Sequence, residues 1–188
     1  MKLKLTAVLS LVALLAACAG ASKLDVKVGN KDMPLNVKGS GTYSSTKTFT
    51  ETKDGQSKIT KAASNYVVLA NYDIDTSSGM NSMGKAVTAA DQIRVSFQLV
   101  GEEGTDDKTG FKTGTYTTKA EKFAKVDYVN IAYFADGKES SNSFDGTKSS
   151  GEIKITSVSA DSVSGEINLT EGDKQIKGSF TAKIPVKK

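Results

Sequence analysis

The chain has 188 residues, a formal net charge of +4 and one cysteine, and it contains neither histidine nor tryptophan. The lack of histidine excludes Ser-His-Asp and Cys-His catalysis as well as histidine metal ligation. The basic side chains are lysines spread along the chain, with Arg94 the sole arginine. Nucleic-acid-binding proteins concentrate Lys and Arg on one stripe, so we expect no nucleic-acid partner.

The first 17 residues have the pattern of a cleaved secretory signal. Lys2 and Lys4 give a positive start, and residues 5–17 are apolar or small apart from two hydroxyl side chains. This run is too short to span a membrane as a helix, which needs roughly 20 apolar residues. A charged start, a short apolar segment and small residues at its end are typical of a signal peptide. We therefore predict that a signal helix over residues 1–17 is removed.

The end of that segment resembles the lipobox of bacterial lipoproteins. It reads Leu15-Ala16-Ala17-Cys18, a leucine and two small residues before the only cysteine. The resemblance implies that Cys18 receives diacylglycerol, that cleavage falls between Ala17 and Cys18, and that the new amino group is acylated. Each buried methylene contributes ~0.8 kcal/mol, so two or three acyl chains hold a protein firmly on a bilayer. An ordinary cleaved signal with an incidental cysteine and a retained apolar helix are the alternatives.

Ala19 bears on which membrane would hold the protein. In enteric-type Gram-negative bacteria, aspartate at this place tends to retain lipoproteins in the inner membrane. The resemblance therefore implies an outer-membrane location in an organism that has one. Residues 18–22 would form a lipidated N-terminus and a tether of at most ~15 Å, which would hold the domain close to the lipid surface.

The mature chain is large enough for one domain with its own core. Loss of 17 residues, two of them lysines, leaves 171 residues with a formal charge of +2. We assign residues 23–188 to a single domain. With its only thiol acylated, this domain has no internal disulfide.

Beyond the tether, aliphatic residues alternate with polar ones and Gly, Ser and Thr are frequent, which is typical of short antiparallel strands separated by turns. About ten strands predict an all-β fold. We favour an antiparallel β-sandwich, with a sheet curled into a barrel as the alternative. The predicted strands cover residues 24–28, 35–37, 42–51, 57–62, 66–73, 92–100, 114–117, 127–134, a segment through 153 and 155, 162–170 and 175–184.

One short helix interrupts the predicted strands. The residues Thr118-Lys119-Ala120-Glu121 fit a capping box, in which the hydroxyl and the carboxylate bond early backbone N–H groups. Phe123 would then hold the helix over one end of the sheet. Residues 84–90 are a weaker helix candidate.

The register of the last hairpin follows from its turn. A two-residue loop at Gly172-Asp173 suits a type I′ or II′ turn. It would let Phe180 and Ile167 cover Gly165 and Gly178 across the ladder, with bulges at the two glycines as the alternative. The predicted pairs are Glu171–Lys174, Leu169–Ile176, Ile167–Gly178 and Gly165–Phe180.

Two acidic loops are weak calcium candidates. The first, at Asp73 and Asp75, begins like an EF-hand but has Ser78 where glycine is required and Gly84 where glutamate is required. The second is a run of carboxylates between glycines, for which solvation is the simpler interpretation. Its acidic residues are Glu102, Glu103, Asp106 and Asp107. Many carboxylate pairs could satisfy the spacing of a glycosidase, and the sequence selects none, so we expect no catalytic residue and no metal.

Aromatic side chains could provide a platform for a sugar or a peptide. The candidates are Tyr116, Tyr128, Tyr133 and Phe134, although tyrosines at alternating strand positions commonly belong to a core or its rim. The glycine-aliphatic pattern over residues 151–182 loosely resembles small β-rich lipoproteins of unassigned function, and that resemblance implies no site.

The expected function is a non-catalytic, lipid-anchored role in the cell envelope: binding, adhesion or structure. Its expected partners are the membrane and an envelope protein or glycan. The alternatives are a carboxylate-dependent envelope hydrolase and an accessory subunit of an outer-membrane complex. A hydrolase needs carboxylates with displaced pKa values in a pocket, a binding module needs exposed aromatics, and a subunit needs an apolar patch or a long free strand edge.

Overall fold

A computed structural model describes residues 22–76 and 83–185 of the chain. The predicted signal peptide, the cleavage site at Ala17 and Cys18, and tether residues 19–21 lie outside this range. Among the described residues, no helix has both the length and the apolar character to cross a membrane. The part of the chain that the structure describes forms twelve strands: β1 Lys23–Val28, β2 Lys31–Asp32, β3 Leu35–Asn36, β4 Gly39–Lys53, β5 Gln56–Ala70, β6 Ile93–Val100, β7 Gly114–Thr117, β8 Lys125–Ala135, β9 Lys138–Ser143, β10 Ser150–Val158, β11 Ser162–Glu171 and β12 Lys174–Lys183.

The strands form one sheet in the order β2-β1-β12-β11-β10-β7-β8-β6-β5-β4, with β3 beside β1 and β9 beside β8. Neighbouring strands are antiparallel except for β7 and β8, which are parallel through the single pair Thr117 and Lys125. The Thr117 N–H donates to the carbonyl of Ala124 at 3.0 Å. This bond brings the start of β8 beside the end of β7, so the prediction of a purely antiparallel sheet is wrong at this one pair.

The sheet curls until β4 lies against β12, without closing into a barrel. The Lys183 N–H donates to Ser40 Oγ at 3.2 Å, and Thr42 Oγ1 donates to the Lys183 carbonyl at 3.2 Å. One core fills the inside, where Phe97 of β6 meets Phe180 of β12 edge to face at 5.3 Å. The predicted all-β fold is confirmed, in a curled form with strands from both ends of the sheet around the same core.

Strand β5 is longer than predicted. The two predicted strands, 57–62 and 66–73, merge into one strand of 15 residues that runs through the polar stretch between them and ends at Ala70, three residues before the predicted end. Asn65 is buried there. Its side chain accepts a hydrogen bond from Ser44 Oγ at 2.7 Å and donates one to the Gly110 carbonyl at 3.1 Å. Because both ends of the amide have partners, asparagine, a residue typical of loops, is tolerated inside this strand.

The predicted helix at Thr118 is wrong, because this segment forms turns. The Thr118 hydroxyl donates to the Ser149 carbonyl of the neighbouring segment at 3.2 Å and so does not cap a helix. Ala124 takes a φ of 48°, a left-handed conformation that ends right-handed helical winding.

The weaker helix candidate over residues 84–90 is also wrong. Its described residues are turns and irregular backbone. The Val87 N–H donates to Glu139 Oε2 at 2.5 Å instead of to a carbonyl of its own segment. A tertiary bond has replaced the helical one.

The predicted register of the last hairpin is confirmed at all four pairs. At Gly165 the ring of Phe180 fills the space of the missing side chain, with two ring carbons 2.9 Å from where a Cβ would stand. The ladder between β11 and β12 is regular, and the bulge lies in β10 between Ile155 and Ser157. Gly178 instead admits the backbone of β1 at Lys23.

Candidate functional site

Three tyrosines and a glutamine form a row across the outer face of the sheet. Tyr43 of β4 pairs with Tyr66 of β5, Tyr66 with Gln98 of β6, and Gln98 with Tyr128 of β8. Neighbouring strands lie about 4.8 Å apart, so this tyrosine row extends over about 14 Å. Tyr43 and Tyr128 are 42% and 37% exposed, which is unusual for large apolar side chains in the described part of this protein.

Strand alternation places the row on the outside. The residues that follow Tyr66 and Tyr128, Val67 and Val129, point into the core and are at most 3% exposed. Successive side chains of a strand point to opposite faces, so the tyrosines must face outward.

The row lies in an open groove of about 590 Å³ that is also lined by Ser45, Ser64 and Gly84. Gln98 Nε2 donates to Ser64 Oγ at 2.5 Å, and Ser45 Oγ donates to the Ser64 carbonyl at 3.4 Å. The lining residues that the structure describes therefore present rings, hydroxyls and an amide, and none of them carries a charge.

The segment between β5 and β6 borders one side of the groove. It packs on the outer face as a second, smaller core in which Tyr72 and Val87 meet Ala70 and Ala132 of the sheet. Gly84 of this segment reaches the groove. The tyrosine row thus lies directly beside the part of the outer face that the segment between β5 and β6 covers.

Arg94 and Glu139 hold that segment on the sheet. Arg94 donates to the carbonyl of Lys85 and lies 3.3 Å from Glu139, whose other oxygen accepts the Val87 N–H. Tyr72 donates its hydroxyl to the Lys85 carbonyl at 3.1 Å. Burial raises the pKa of Tyr72, and the neighbouring Arg94 partly offsets this rise.

The opposite side of the groove is bordered by an ion pair between distant strands. Lys47 of β4 lies on the same face as Tyr43, and its Nζ contacts Asp127 Oδ2 of β8 at 2.5 Å. Asp127 occupies a bulge, because the ladder of β6 and β8 shifts register between Gln98 and Leu99. Bulges re-aim a side chain, and this one directs a carboxylate toward Lys47.

The structure places one of the four predicted platform aromatics, Tyr128, in the groove. Tyr116 is 5% exposed and belongs to the core, where burial raises the pKa of its phenol. Tyr133 packs on the core, with Lys31 Nζ 5.1 Å from its ring centre, and Phe134 packs on the second core. These three residues agree with the core-or-rim interpretation: Tyr116 is in the core, and the half-buried Tyr133 and Phe134 lie at the rims of the two cores.

Sequence reasoning missed Tyr43 and Tyr66, although a signal for them existed. Asp54-Gly55 is one of the dipeptides most typical of a two-residue hairpin turn. The resulting register, from Lys53 with Gln56, brings Tyr43 opposite Tyr66.

The acidic candidates of the second loop meet lysine or threonine partners. Glu102 contacts Lys112 at 3.2 Å, Glu103 contacts Lys58 at 3.4 Å, and Asp106 contacts Lys61 at 3.3 Å. Asp107 accepts a hydrogen bond from Thr46 Oγ1 at 3.0 Å. Within residues 22–76 and 83–185, no group of three His, Cys, Asp or Glu side chains could hold a metal.

The carboxyls with displaced pKa values lie in separate exposed turns. The hydrogen bond from Lys61, followed by that from the Thr109 backbone, lowers the pKa of Asp106. Hydrogen bonds from Thr147 lower the pKa of Asp145, and a bond from Ser159 lowers that of Asp161. Each shift arises from local hydrogen bonds, and Asp73 and Asp75 lie in the exposed or half-exposed segment after β5.

No protein-family profile matches the chain, and no curated protein or solved structure matches it significantly.

Proposed function

We propose that this protein is a lipid-anchored envelope protein whose domain binds an extended, uncharged glycan along the tyrosine row. The observation that carries the proposal is the alignment of Tyr43, Tyr66 and Tyr128 with Gln98 across four neighbouring strands on the solvent side of the sheet. Tyrosine combines an apolar ring with a polar hydroxyl, which suits sugar rings that carry apolar faces and hydroxyl edges.

The chemistry of the groove favours a glycan over a peptide strand. β4, β5, β6 and β8 already pair with one another beneath the row, so the main-chain groups between these strands are engaged. An added peptide strand binds through such main-chain groups. Recognition in this groove therefore depends on side chains, and Ser45, Ser64 and Gln98 offer hydrogen bonds without charge.

The anchor is proposed from the lipobox resemblance of Leu15-Ala16-Ala17-Cys18. The chain is fixed in the domain from Ser22 onward, because Ser22 Oγ accepts the Thr181 N–H at 2.8 Å and its carbonyl accepts the Val37 N–H at 3.0 Å. A tether of residues 18–21 would leave the domain little freedom to move away from the lipid.

Binding to a panel of purified bacterial envelope polysaccharides tests the glycan proposal. The Tyr43→Ala/Tyr128→Ala variant should bind a retained polysaccharide about tenfold more weakly or worse, because it removes two of the three rings on which the sugar rings would lie.

The matched control is Ile59→Ala, which truncates a 69% exposed side chain outside the groove and should leave binding unchanged. Retention of no polysaccharide by the wild type, or equal affinity of the double variant, would reject the proposal.

A further inference from the structure

The hairpin of β4 and β5 projects past the rest of the sheet. β5 pairs with β6 only over Ser64 to Ala70, whereas β4 and β5 pair along their whole length. Residues 47–62 therefore form a two-stranded ribbon, the arm. On its β5 side, the N–H groups of Gly101 and Gly104 bond the carbonyls of Ala63 and Lys61. On its other side, β4 is the last strand of the sheet among the described residues.

The outer edge of the arm presents alternate main-chain groups of β4. Asp54 and Gly55 have φ values of 52° and 76°, as a type I′ turn requires, so Lys53 and Gln56 form a hydrogen-bonded pair. In an antiparallel ladder the residues between such pairs direct their N–H and C=O groups away from the partner. On β4 these are the even-numbered residues, including Thr48 and Thr50.

This edge has only part of the usual protection against strand pairing. Edge strands are commonly blunted by charged side chains, by proline, by bulges or by a covering segment, and β4 carries the first of these in Lys47, Glu51 and Lys53. The pairing of β4 with β5 shows no register shift, and β4 contains no proline.

The base of the edge is occupied: the main chain of Lys183 bonds the Ser40 and Thr42 hydroxyls, and Asp107 of the acidic loop accepts a hydrogen bond from Thr46. Residues 47–53 are left open.

We propose that two copies of this chain associate by antiparallel pairing of their β4 edges, with Phe49 opposite Phe49 of the second copy. The stretch Lys47-Thr48-Phe49-Thr50-Glu51 is complementary to itself when reversed. In this register each Lys47 faces Glu51 of the other copy, and each Thr48 forms a hydrogen-bonded pair with Thr50 of the other copy.

Charge disfavours the neighbouring registers. The outward N–H and C=O groups of the two β4 strands must face one another, so an even-numbered residue always lies opposite an even-numbered residue. One step of the register therefore changes the partner of each residue by two positions. A shift one step toward the turn places Lys47 opposite Lys53, and a further step places Glu51 opposite Glu51. A shift of one step toward the base places Lys47 opposite Phe49 and Glu51 opposite Ser45, which loses both contacts between Lys47 and Glu51. A shift of two steps toward the base places Lys47 opposite Lys47. Like charges directly opposite one another destabilise a ladder.

The charged side chains involved remain exposed enough to reach a second copy. The side chains of Lys47 and Glu51 are 36% and 54% exposed, and they already contact Asp127 and Lys122 respectively. Pairing of two copies joins these ion pairs into a row in which positive and negative side chains alternate. The row runs from Lys122 and Glu51 of one copy to Lys47 and Asp127 of the other copy. The row places no like charges next to each other.

Sedimentation of the full chain in detergent, over a range of concentrations, tests the proposal with two proline variants of the arm. Thr50→Pro removes an outward N–H of β4 and should weaken the dimer about tenfold or more, because each copy loses one hydrogen bond of the shared ladder. Ser57→Pro changes the opposite edge of the same arm, at a residue whose N–H also points away from its hairpin partner, and should leave the dimer intact.

Disulfide trapping tests the register in a Cys18→Ser background, where the introduced thiols are the only ones. Thr48→Cys/Thr50→Cys should give a covalent dimer, because residues 48 and 50 face each other between copies. Either single variant should stay uncoupled, because its thiols lie diagonally apart.

A wild type that remains monomeric, a dimer that Thr50→Pro does not weaken, or equal cross-linking of the single and double variants would each overturn the proposal. Association of a different protein with this edge, in place of a second copy, would also overturn it.

Discussion

Gly165 shows how strongly one residue can depend on its neighbours in this fold. A Cβ at this position would overlap the carbonyl oxygen of Lys154 and would lie 2.9 Å from the ring of Phe180. The glycine is required by close packing, since Gly165 is not among the residues with positive φ. Phe180 occupies the space that a side chain would need.

Gly165→Ala should therefore destabilise the domain by about 1–3 kcal/mol, the range for overpacking a core. Urea unfolding followed by tyrosine fluorescence measures this change. Gly146→Ala is the matched control: a Cβ there meets nothing within 4 Å, so the change should stay within about 0.5 kcal/mol. Equal stabilities of the two variants would contradict the packing explanation.

Among the larger elements, the segment between β5 and β6 depends on a small number of polar anchors. It leaves the sheet after Ala70, covers the outer face and returns at Ile93. Arg94, whose side chain is 12% exposed, and Glu139 connect it to β6 and β9. Ion pairs shielded from water in this way are costly to break from one side, because the remaining charge loses its partner.

Glu139→Ala should loosen this segment while the rest of the sheet stays folded. It removes the acceptor of the Val87 N–H and the partner of Arg94. We expect faster amide hydrogen exchange in residues 83–92 and unchanged exchange in β10 to β12, because local opening depends on local contacts.

Glu103→Ala is the control for the anchor, since its ion pair with Lys58 is exposed on both sides and such pairs contribute about 0–1 kcal/mol. Uniform acceleration of exchange over the whole sheet in Glu139→Ala would show that the anchor supports the entire fold instead.

For the whole molecule, folding of the domain and attachment to the membrane by the proposed anchor depend on different parts of the chain. The core gathers residues from β1 to β12 and depends on burial of apolar area. The proposed anchor depends on one sulfur and its acyl chains.

Cys18→Ser should abolish labelling by a palmitate analogue and release the protein from membranes. Metabolic labelling and membrane fractionation measure both effects, and mass spectrometry of the wild type should find a modified N-terminal peptide that begins at Cys18. Ala21→Ser, a small change in the tether, should leave labelling intact. Undiminished labelling of Cys18→Ser would refute the lipid anchor.

Much of the fold could be predicted because it follows local rules. Alternation of apolar and polar residues predicts strands, and the turn at Gly172-Asp173 defines the pairing from Glu171 with Lys174 to Gly165 with Phe180. The same turn geometry at Asp54-Gly55 also predicts the pairing of Tyr43 with Tyr66. Both results depend on residues close together in the sequence, where turn geometry limits the choices.

The tertiary structure alone decided the remaining features. The Thr118 hydroxyl donates to the Ser149 carbonyl, and the Val87 N–H donates to Glu139. Since isolated helices of two turns are unstable, these tertiary hydrogen bonds keep the two segments predicted as helices from being helical. The order of the strands brings Gln98 and Tyr128 beside Tyr66, and no local pattern encodes which strands become neighbours. Sequence alone thus determined most of the strands and the turn of the last hairpin, while β2, β9, the single long β5 and the candidate site were decided by packing.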